Sequence, residues 1–213
     1  MKPVSRAWPG PPAGNIPSSC AGSRSSHCEK LRAHGPRVSS SLHLVVRVTC
    51  SLRPVGRAQR ARLEALTRAT GVFRESEVAT AVELLDEAVA GDDDYRFVGG
   101  YDGDELVAYA CWGPTPGTEG TYDLYWIVVD PRWQRRGIGA ALLTEVEGRL
   151  RAERCRLLVV ETSSRPDYAA TREFYARRGF TRAAMVPGYY APGDDLVIYL
   201  KDVRDGELAR AAS

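Results

Sequence analysis

Histidine is missing from most of this chain of 213 residues, because His27, His34 and His43 are the only three and all lie near the start. The rest of the chain therefore has no histidine for a Ser–His–Asp triad or for a histidine-ligated zinc site. Lysine is nearly as rare, since Lys201 is the only one after Lys30. No G-x-x-x-x-G-K-[ST] run occurs either, which argues against phosphoryl transfer on a P-loop of that type.

Cysteine is sparse and scattered, with no C-x-x-C pair. An odd number of dispersed cysteines favours reduced thiols, and hence a cytoplasmic location, over a disulfide framework. The five are Cys20, Cys28, Cys50, Cys111 and Cys155. Two of them could form a zinc cluster with His27 and His34, but chance clustering in a polar segment is the favoured interpretation, and we predict no metal site.

Long apolar runs are absent as well. None approaches the ~18 residues that a membrane-spanning helix needs. The first 20 residues are broken by Pro3, Pro9, Pro11, Pro12 and Pro17 where a signal peptide needs an apolar stretch. The sequence predicts neither membrane insertion nor secretion.

Acidic residues are almost absent from the first 53 residues, which hold 8 of the 29 Lys and Arg but only Glu29 of the 27 acids. Residues 1–50 are also rich in Ser, Pro and Arg, so we predict a disordered basic tail. It is interpreted as a nonfunctional extension or misassigned start, with an interaction tail or a targeting peptide as alternatives. Residues 54–213 keep 21 basic and 26 acidic groups. With Trp8 as the tail's one stacking aromatic, nucleic-acid binding is disfavoured.

Residues 51–201 have the pattern of one mixed α/β domain, and residues 202–213 that of a polar C-terminal tail. The predicted helices cover 57–71, 76–91, 137–153 and a segment capped by Asp167 that ends near 178. The predicted strands cover 52–55, with 42–48 as a weaker alternative, a hairpin over 95–112, a central strand at 122–129, and 155–161, 180–186 and 196–200. Trp112 and Tyr125 are interpreted as sheet packing.

The most informative segment is 128–140, where a strand, a proline stop at Pro131 and a basic turn precede two close glycines at the start of a helix. Unpaired N–H groups at a helix N-terminus bind anions, and glycines let a phosphate approach the backbone. Arg135 and Arg136 add positive charge, so this segment predicts pyrophosphate binding. A tight turn with solvated arginines is the alternative that the residues leave open.

Two motifs carry a family resemblance. The run Gln134–Gly139 resembles the Q/R-x-x-G-x-G/A signature of GNAT-type N-acetyltransferases, and 174–180, Phe-Tyr-Ala-Arg-Arg-Gly-Phe, resembles their late Tyr…Gly-Phe element. The order of predicted elements agrees over about 52–201. A Rossmann domain is the rival, but it requires a third glycine where Leu142 stands.

The resemblance implies a mixed, mostly antiparallel central sheet flanked by helices and splayed between strands four and five. Acetyl-CoA would lie in that cleft, with its pyrophosphate on the helix N-terminus and its pantetheine arm along strand four. The implied binding residues are Ile127, Val129, Gln134, Arg135, Arg136, Gly137, Ile138, Gly139 and Ala140. The reaction would be direct acetyl transfer in a ternary complex.

Tyr175 matches the family tyrosine that protonates the departing thiolate, a role that suits a phenol of pKa ~10. The sequence departs from the family upstream, where Tyr168 stands in place of a common asparagine and Thr171 in place of an alanine. Asp123 and Glu161, at the start and end of two strands, are candidate general bases, with solvated strand-end acids as the alternative.

The acceptor site is predicted in the 188–195 loop, because aromatic rings and carboxylates attract ammonium groups. The residues proposed for it are Tyr189, Tyr190, Asp194 and Asp195. A plain turn is the alternative. The predicted activity is acetyl transfer from acetyl-CoA to a primary amine, with a small molecule favoured. A protein N-terminal or lysine acetyltransferase and a noncatalytic acyl-CoA-binding module are alternatives, and a homodimer is left open.

Overall fold

The computed structural model describes residues 50–204. The predicted tail over 1–50 lies outside the described residues apart from its last position, and so do the zinc alternative, the 42–48 strand and most of the 202–213 tail. The domain bounds of 51–201 also stay a prediction, although the first described strand begins at Ser51 and the last ends at Asp202.

Strands and helices alternate along the described residues in the order expected of a mixed α/β domain. The strands are β1 Ser51–Arg53, β2 Arg96–Asp102, β3 Glu105–Pro114, β4 Thr121–Val129, β5 Leu157–Ser163, β6 Thr181–Ala191 and β7 Asp194–Asp202. The helices are α1 Arg60–Ala69, α2 Glu75–Val89, α3 Ile138–Ala152 and α4 Ala169–Arg177, with 3₁₀ turns at Arg57–Gln59, Pro131–Trp133 and Pro166–Tyr168.

The strands form one sheet in the order β1-β2-β3-β4-β5-β7-β6. Every neighbouring pair is antiparallel except β4 and β5, which are parallel. A parallel pair needs a crossover connection, and α3 supplies it. The mixed, mostly antiparallel sheet is therefore confirmed.

Helices cover both faces of this sheet. On one face, Leu63 of α1 and Leu85 of α2 pack in a buried cluster with strand residues. On the other, Leu142 of α3 and Tyr175 of α4 belong to a second buried cluster. We call these the α1–α2 face and the α3–α4 face. The apolar residues at helical spacing are what fix each helix on its side of the sheet.

One extra residue in β4 changes which side chains lie on each face. Cys111 of β3 pairs with Trp126, whereas the next residue of β3 pairs with Leu124, so Tyr125 forms a β-bulge. Leu124 belongs to the α3–α4 cluster and Trp126 to the α1–α2 cluster, because an extra residue reverses the alternation of a strand. Ile127 then packs against the α3–α4 face just before the strand ends.

The start of α4 differs from the prediction. Asp167 is not its cap: it lies inside the 3₁₀ turn Pro166–Tyr168, and its carboxylate pairs with Arg165. Pro166 opens that turn because its fixed φ and missing N–H suit the first position of a helical turn. The α-helix consequently begins at Ala169.

The last hairpin also differs, and the predicted 188–195 loop is wrong. Strand β6 continues to Ala191 and β7 already begins at Asp194. Pairing passes from Val186–Leu196 to Ala191–Asp194, so residues 187–190 bulge out opposite a single residue of β7. The plain-turn alternative, Pro192-Gly193-Asp194, agrees with the turn at 192–193, whereas the Pro-Gly step at 187–188 lies in the bulge of the edge strand.

No helix among residues 50–204 is long and apolar enough to span a membrane. Within the same residues, no group of three His, Cys, Asp or Glu side chains is arranged to hold a metal ion. The cytoplasmic location stays a prediction.

Candidate active site

A cleft opens where β4 and β5 separate. The two strands pair only over Thr121–Asp123 with Leu157–Val159, and no further pairs follow in the described residues. The bulge at Tyr125 comes directly after the last pair, and bulges bend a strand away from its neighbour. The predicted splay between strands four and five is confirmed.

The strand-to-helix turn at the end of β4 is held by a buried ion-pair network. Asp130 is 3% exposed. Its carboxylate accepts from the Arg132 backbone N–H at 2.9 Å and from the Arg132 and Arg62 guanidinium groups at 2.8 and 2.9 Å. These contacts, led by the hydrogen bond from the Arg132 side chain, hold the pKa of Asp130 well below its usual range. The turn is thus fixed before any ligand binds.

The turn presents the start of α3 to the cleft. Arg135 and Gly137 both have left-handed backbone, with φ of 59° and 84°, and alternation of this kind turns successive N–H groups toward one point. The first intrahelical donor is the N–H of Ala141, which bonds to the Gly137 carbonyl at 3.0 Å. The N–H groups of Ile138, Gly139 and Ala140 come before it and so have no intrahelical acceptor. Together with the helix dipole they suit a phosphate.

Gly139 provides a test of whether acetyl-CoA fits this site. Its backbone is not left-handed, and a Cβ there would meet Val129, Ile127 and Phe174 only at 3.7–3.8 Å, an ordinary contact distance. The protein's own packing therefore does not require glycine at this position. Close approach of a ligand to the backbone would explain it, so the residues fit the pyrophosphate of acetyl-CoA.

At this turn the two arginine side chains are exposed to solvent, whereas the Gln134 side chain bonds to the backbone of β4. Arg135 and Arg136 are exposed, and the guanidinium carbon of Arg136 lies 4.8 Å from the centre of the Trp133 ring. The Gln134 side-chain amide donates to the Val129 carbonyl at 3.3 Å. This bond occupies a backbone acceptor at the end of β4, where we predict the pantetheine arm to lie.

Tyr175 lies on the α3–α4 face and is 5% exposed. Its ring packs edge-to-face against Phe174 and Phe180, each with ring centres 5.3 Å apart, and lies 6.5 Å from Tyr199. Burial raises the pKa of its phenol above the ordinary value of 10.0. The hydroxyl therefore stays protonated at neutral pH and can act as a proton donor.

Asp123 and Glu161 lie on the opposite side of the sheet. Leu124 and Val160, their chain neighbours, belong to the α3–α4 cluster, so alternation places both acids on the α1–α2 face. Asp123 accepts a hydrogen bond from Thr115 Oγ1 at 2.8 Å, and burial raises its pKa. Glu161 reaches solvent, but partial burial and then the charge of Asp123 raise its pKa too. The structure thus brings the two predicted bases together.

Tyr189 and Tyr190 lie in the β6 bulge, not in a loop between strands. Tyr189 is 51% exposed, and its ring meets that of Tyr190 edge-to-face at 5.0 Å. Burial raises the pKa of Tyr190, and the negative charge of Glu161 raises it further. The Tyr190 hydroxyl is therefore within electrostatic reach of Glu161, and the role of Tyr189 and Tyr190 at the acceptor site stays a prediction.

One carboxylate oxygen of Asp194 and one of Asp195 accept hydrogen bonds from the protein, while the second oxygen of Asp194 is buried without a hydrogen-bond partner. Asp194 is 3% exposed and accepts a hydrogen bond from Ser163 Oγ. Asp195 accepts from the Gly188 N–H at 2.8 Å. Their predicted contact with the acceptor stays a prediction, and the observed bonds point to a different use for both.

Tyr168, which stands where the family commonly has an asparagine, is bonded to the segment between α1 and α2. Tyr168 is 6% exposed, and its hydroxyl donates to the Val72 carbonyl at 3.3 Å. It ties the start of α4 to the segment between α1 and α2.

Sequence reasoning missed three residues. Tyr125 packs against the α1–α2 cluster as predicted, but it also forms the bulge, and burial and then the charge of nearby Asp123 raise its pKa. Trp112 is buried in the sheet as predicted. Ser163 and Arg172 connect β5, β7 and α4. A bulge leaves no clear signal in one sequence, and the Ser163 partner is 31 positions away.

Known proteins of similar sequence point to one family. The model of the acetyltransferase (GNAT) family matches residues 62–180. The chain is 30% identical over 153 residues to the N-alpha-acetyltransferase RimI of Mycobacterium tuberculosis, covering 63% of this chain and 92% of that protein.

Solved structures agree. A GNAT-family protein from Desulfovibrio desulfuricans has a TM-score of 0.71 and 41% identity, covering 72% of this chain and 99% of its own. An aminoglycoside 6'-N-acetyltransferase complexed with coenzyme A has a TM-score of 0.60 at 17% identity, covering 72% of this chain and 97% of its own, and this likeness concerns the fold.

Proposed function

The chain belongs to the GNAT family of acetyltransferases, and from that premise we propose that it transfers an acetyl group from acetyl-CoA to a primary amine, with a small cationic molecule as the favoured acceptor. One observation carries the proposal. The gap between β4 and β5 has the start of α3 at its open end, Tyr175 on one side of the sheet, and the pair Asp123 and Glu161 on the other.

The donor would bind from the α3–α4 face. The N–H groups at the start of α3 would receive the pyrophosphate, and Arg135 and Arg136 would add charge beside it. Beyond Asp123, β4 has no described neighbour on the β5 side, so its backbone groups there, apart from the Val129 carbonyl that Gln134 occupies, can pair with the amides of the pantetheine arm. Such pairing would place the thioester near Ile127 and Tyr125.

The acceptor would approach from the α1–α2 face, where Glu161 is the better general base. Its side chain reaches solvent, whereas the Asp123 carboxylate is engaged by Thr115. Glu161 takes one proton from the ammonium, directly or through a water. The neutral nitrogen attacks the thioester carbon, a C–N bond forms and the C–S bond breaks. Tyr175 gives its proton to the thiolate, and its phenolate is reprotonated by the proton that the nitrogen loses as the amide forms.

A cationic acceptor is favoured by the chemistry around Glu161. Two neighbouring carboxylates attract an ammonium group, and the rings of Tyr189 and Tyr190 offer it π faces. Because both acid pKa values are raised, a bound cation would also lower the cost of ionising them.

A protein N-terminus is the second candidate acceptor. The observation in its favour is the 30% identity to an enzyme named as an N-alpha-acetyltransferase, of which this chain covers 92%. An α-ammonium group would use the same acid pair, so the site chemistry alone does not separate the two acceptors.

Calorimetric titration of the full chain with acetyl-CoA tests the first step. Saturable binding supports the proposal, and its absence contradicts it. The second step measures CoA release with two panels, small mono- and diamines and short peptides with free N-termini. Turnover with small amines alone supports the favoured acceptor, and turnover with peptides alone supports the second. Binding without turnover on either panel would favour the noncatalytic acyl-CoA-binding module.

A further inference from the structure

The β6 bulge that carries Tyr189 and Tyr190 lacks the support that a strand normally has. Its residues, 187–190, lie opposite a single residue of β7, so they do not share in the regular ladder of backbone hydrogen bonds. β6 is also the edge of the sheet and has no neighbour on its other side in the described residues. Something other than strand pairing must fix the position of the two rings.

Two adjacent aspartates supply that support. The Asp195 carboxylate accepts from the Gly188 N–H at 2.8 Å, at the residue of the bulge whose φ is 61°. The Asp195 backbone is tied to β5, because its N–H donates to Ser164 Oγ and its carbonyl accepts from the Ser164 N–H, both at 2.9 Å. Asp194 is buried, and its carboxylate accepts from Ser163 Oγ.

Ser163 connects Asp194 to α4, the helix that carries Tyr175. Its hydroxyl oxygen accepts from the Arg165 N–H at 3.0 Å, and its carbonyl accepts from Arg172 Nη1 at 2.6 Å. Arg172 also donates to the Arg165 carbonyl at 2.8 Å and belongs to α4, three residues before Tyr175. Ser163 is fully buried, two residues after Glu161 on the same strand.

We propose that Ser163, Asp194 and Asp195 are positioning residues that hold the tyrosine-bearing bulge beside Glu161 and so set the affinity for the acceptor amine. They act through the bulge and do not touch the substrate. This inference rests on the proposed function, and it assigns the two aspartates a role other than direct contact with the amine.

The Ser163 hydroxyl joins the two halves of this network. It donates to Asp194 and accepts from the Arg165 N–H, so its loss leaves a buried carboxylate oxygen and a partly buried N–H without those partners. A displacement of about 1 Å in a positioned group can cost up to about 100-fold in rate. The β6 bulge lies on the side from which the acceptor would approach. The acetyl-CoA affinity of the site at the start of α3 should therefore not change.

The test compares Asp194→Ala and Ser163→Ala with the conservative Asp194→Asn, whose amide oxygen can still accept from Ser163. We expect the two alanine variants to raise the acceptor KM about tenfold, to change kcat less than about threefold, and to leave the acetyl-CoA Kd within about twofold. Asp194→Asn should restore most of the KM. The matched control is Asp202→Asn at the far end of β7, where the carboxylate pairs with Arg204.

Asp195→Ala keeps the test decisive if the buried variants fail to fold, because its bond to Gly188 lies at the surface. Amide hydrogen exchange at Gly188, which requires no acceptor amine, is measured on the same proteins. We expect slow exchange in the unaltered chain and faster exchange in Asp195→Ala. Unchanged exchange, or KM and acetyl-CoA Kd rising together, would overturn the inference. Failure of every amine to react contradicts the proposed function alone, since the exchange experiment still tests whether Asp195 holds the β6 bulge in place.

Discussion

At the scale of single residues, the proposed acid is a buried tyrosine whose ring lies beside three other aromatic rings. Tyr175→Phe removes the hydroxyl and keeps the ring that packs against Phe174 and Phe180. We expect kcat to fall about 100-fold or more, because a positioned general acid contributes roughly 100- to 10,000-fold, while the acetyl-CoA Kd stays the same. Steady-state kinetics and calorimetry measure both.

Tyr199→Phe is the matched control for that change, since this buried tyrosine lies in the same cluster and has no assigned role. It should leave kcat unaltered. An equal loss in both variants would indicate that packing, rather than a proton at Tyr175, limits turnover.

The pair Asp123 and Glu161 should make the rate of acetyl transfer depend on pH. A general base must be ionised, so kcat/KM should rise with pH through the raised pKa of Glu161. Glu161→Gln should abolish that rise and lower kcat about 100-fold or more. Asp123→Asn should instead move the rise to lower pH, because it removes the charge that raises the pKa of Glu161. A profile unchanged in both variants would show that neither acid is the base.

At the scale of elements, the start of α3 combines a helix terminus with a glycine that the fold does not require. Gly139→Asp adds a Cβ that the neighbouring side chains tolerate. It also puts a carboxylate in the first turn, which is favourable for a helix and repulsive toward a phosphate. The acetyl-CoA Kd should rise at least about tenfold, the factor that ~1.4 kcal/mol of lost binding produces, while thermal stability is kept.

Gly148→Asp places the same side chain on the same helix, at an exposed position with nothing within 4 Å. Its acetyl-CoA affinity should match that of the unaltered chain. Equal affinities in the two variants would contradict a phosphate site at the start of α3.

Helix α2 has a buried acid at its N-terminus that makes stability depend on pH. Glu77 is 1% exposed and accepts from the Arg74 N–H at 2.7 Å, and burial raises its pKa from 4.5 to about 7. Between those values the folded chain keeps a proton that the unfolded chain has released. The free energy of unfolding therefore falls as pH rises through this window.

Glu77→Gln should remove the fall in the free energy of unfolding with rising pH, which amounts to roughly 1–3 kcal/mol at pH 8. Urea unfolding from pH 5 to 8 measures it. Glu75→Gln, at an exposed position two residues earlier on the same helix, should keep the fall. The same slope in all three proteins would show that Glu77 does not titrate in this range.

At the scale of the whole molecule, the residues proposed for acyl transfer and for its support lie between Asp123 and Asp195, and the sheet that carries them begins at β1. Removal of residues 1–49 leaves β1 and its pairing with β2 in the chain. We expect the shortened protein to keep kcat/KM within about twofold and to gain ~2.7 kcal/mol of stability at a hundredfold excess of acetyl-CoA over Kd, as linkage requires of one site. A large loss of turnover would place part of the activity in residues 1–49.

The sequence by itself determined the elements whose causes are local. Apolar spacing predicts α1, α2 and α3, the Asp-Gly turn at 102–103 predicts the β2–β3 hairpin, and Pro131 with the two glycines predicts the turn before α3. Each depends on side chains within one or two helical turns of each other. The family motifs then predicted the splay between β4 and β5, because they fix which elements are neighbours.

Only the tertiary structure decided which side of the sheet each acid occupies and how the last hairpin is built. The bulge at Tyr125 reverses the alternation of β4, so a strand pattern cannot place Ile127 without it. Within 188–195 only residues 192–193 form a turn, whereas the flanking residues belong to β6 and β7, where Asp194 and Asp195 accept hydrogen bonds from Ser163 and Gly188. Ser163 and Asp194 are 31 positions apart, and contacts at that separation form only after the sheet has brought their strands together.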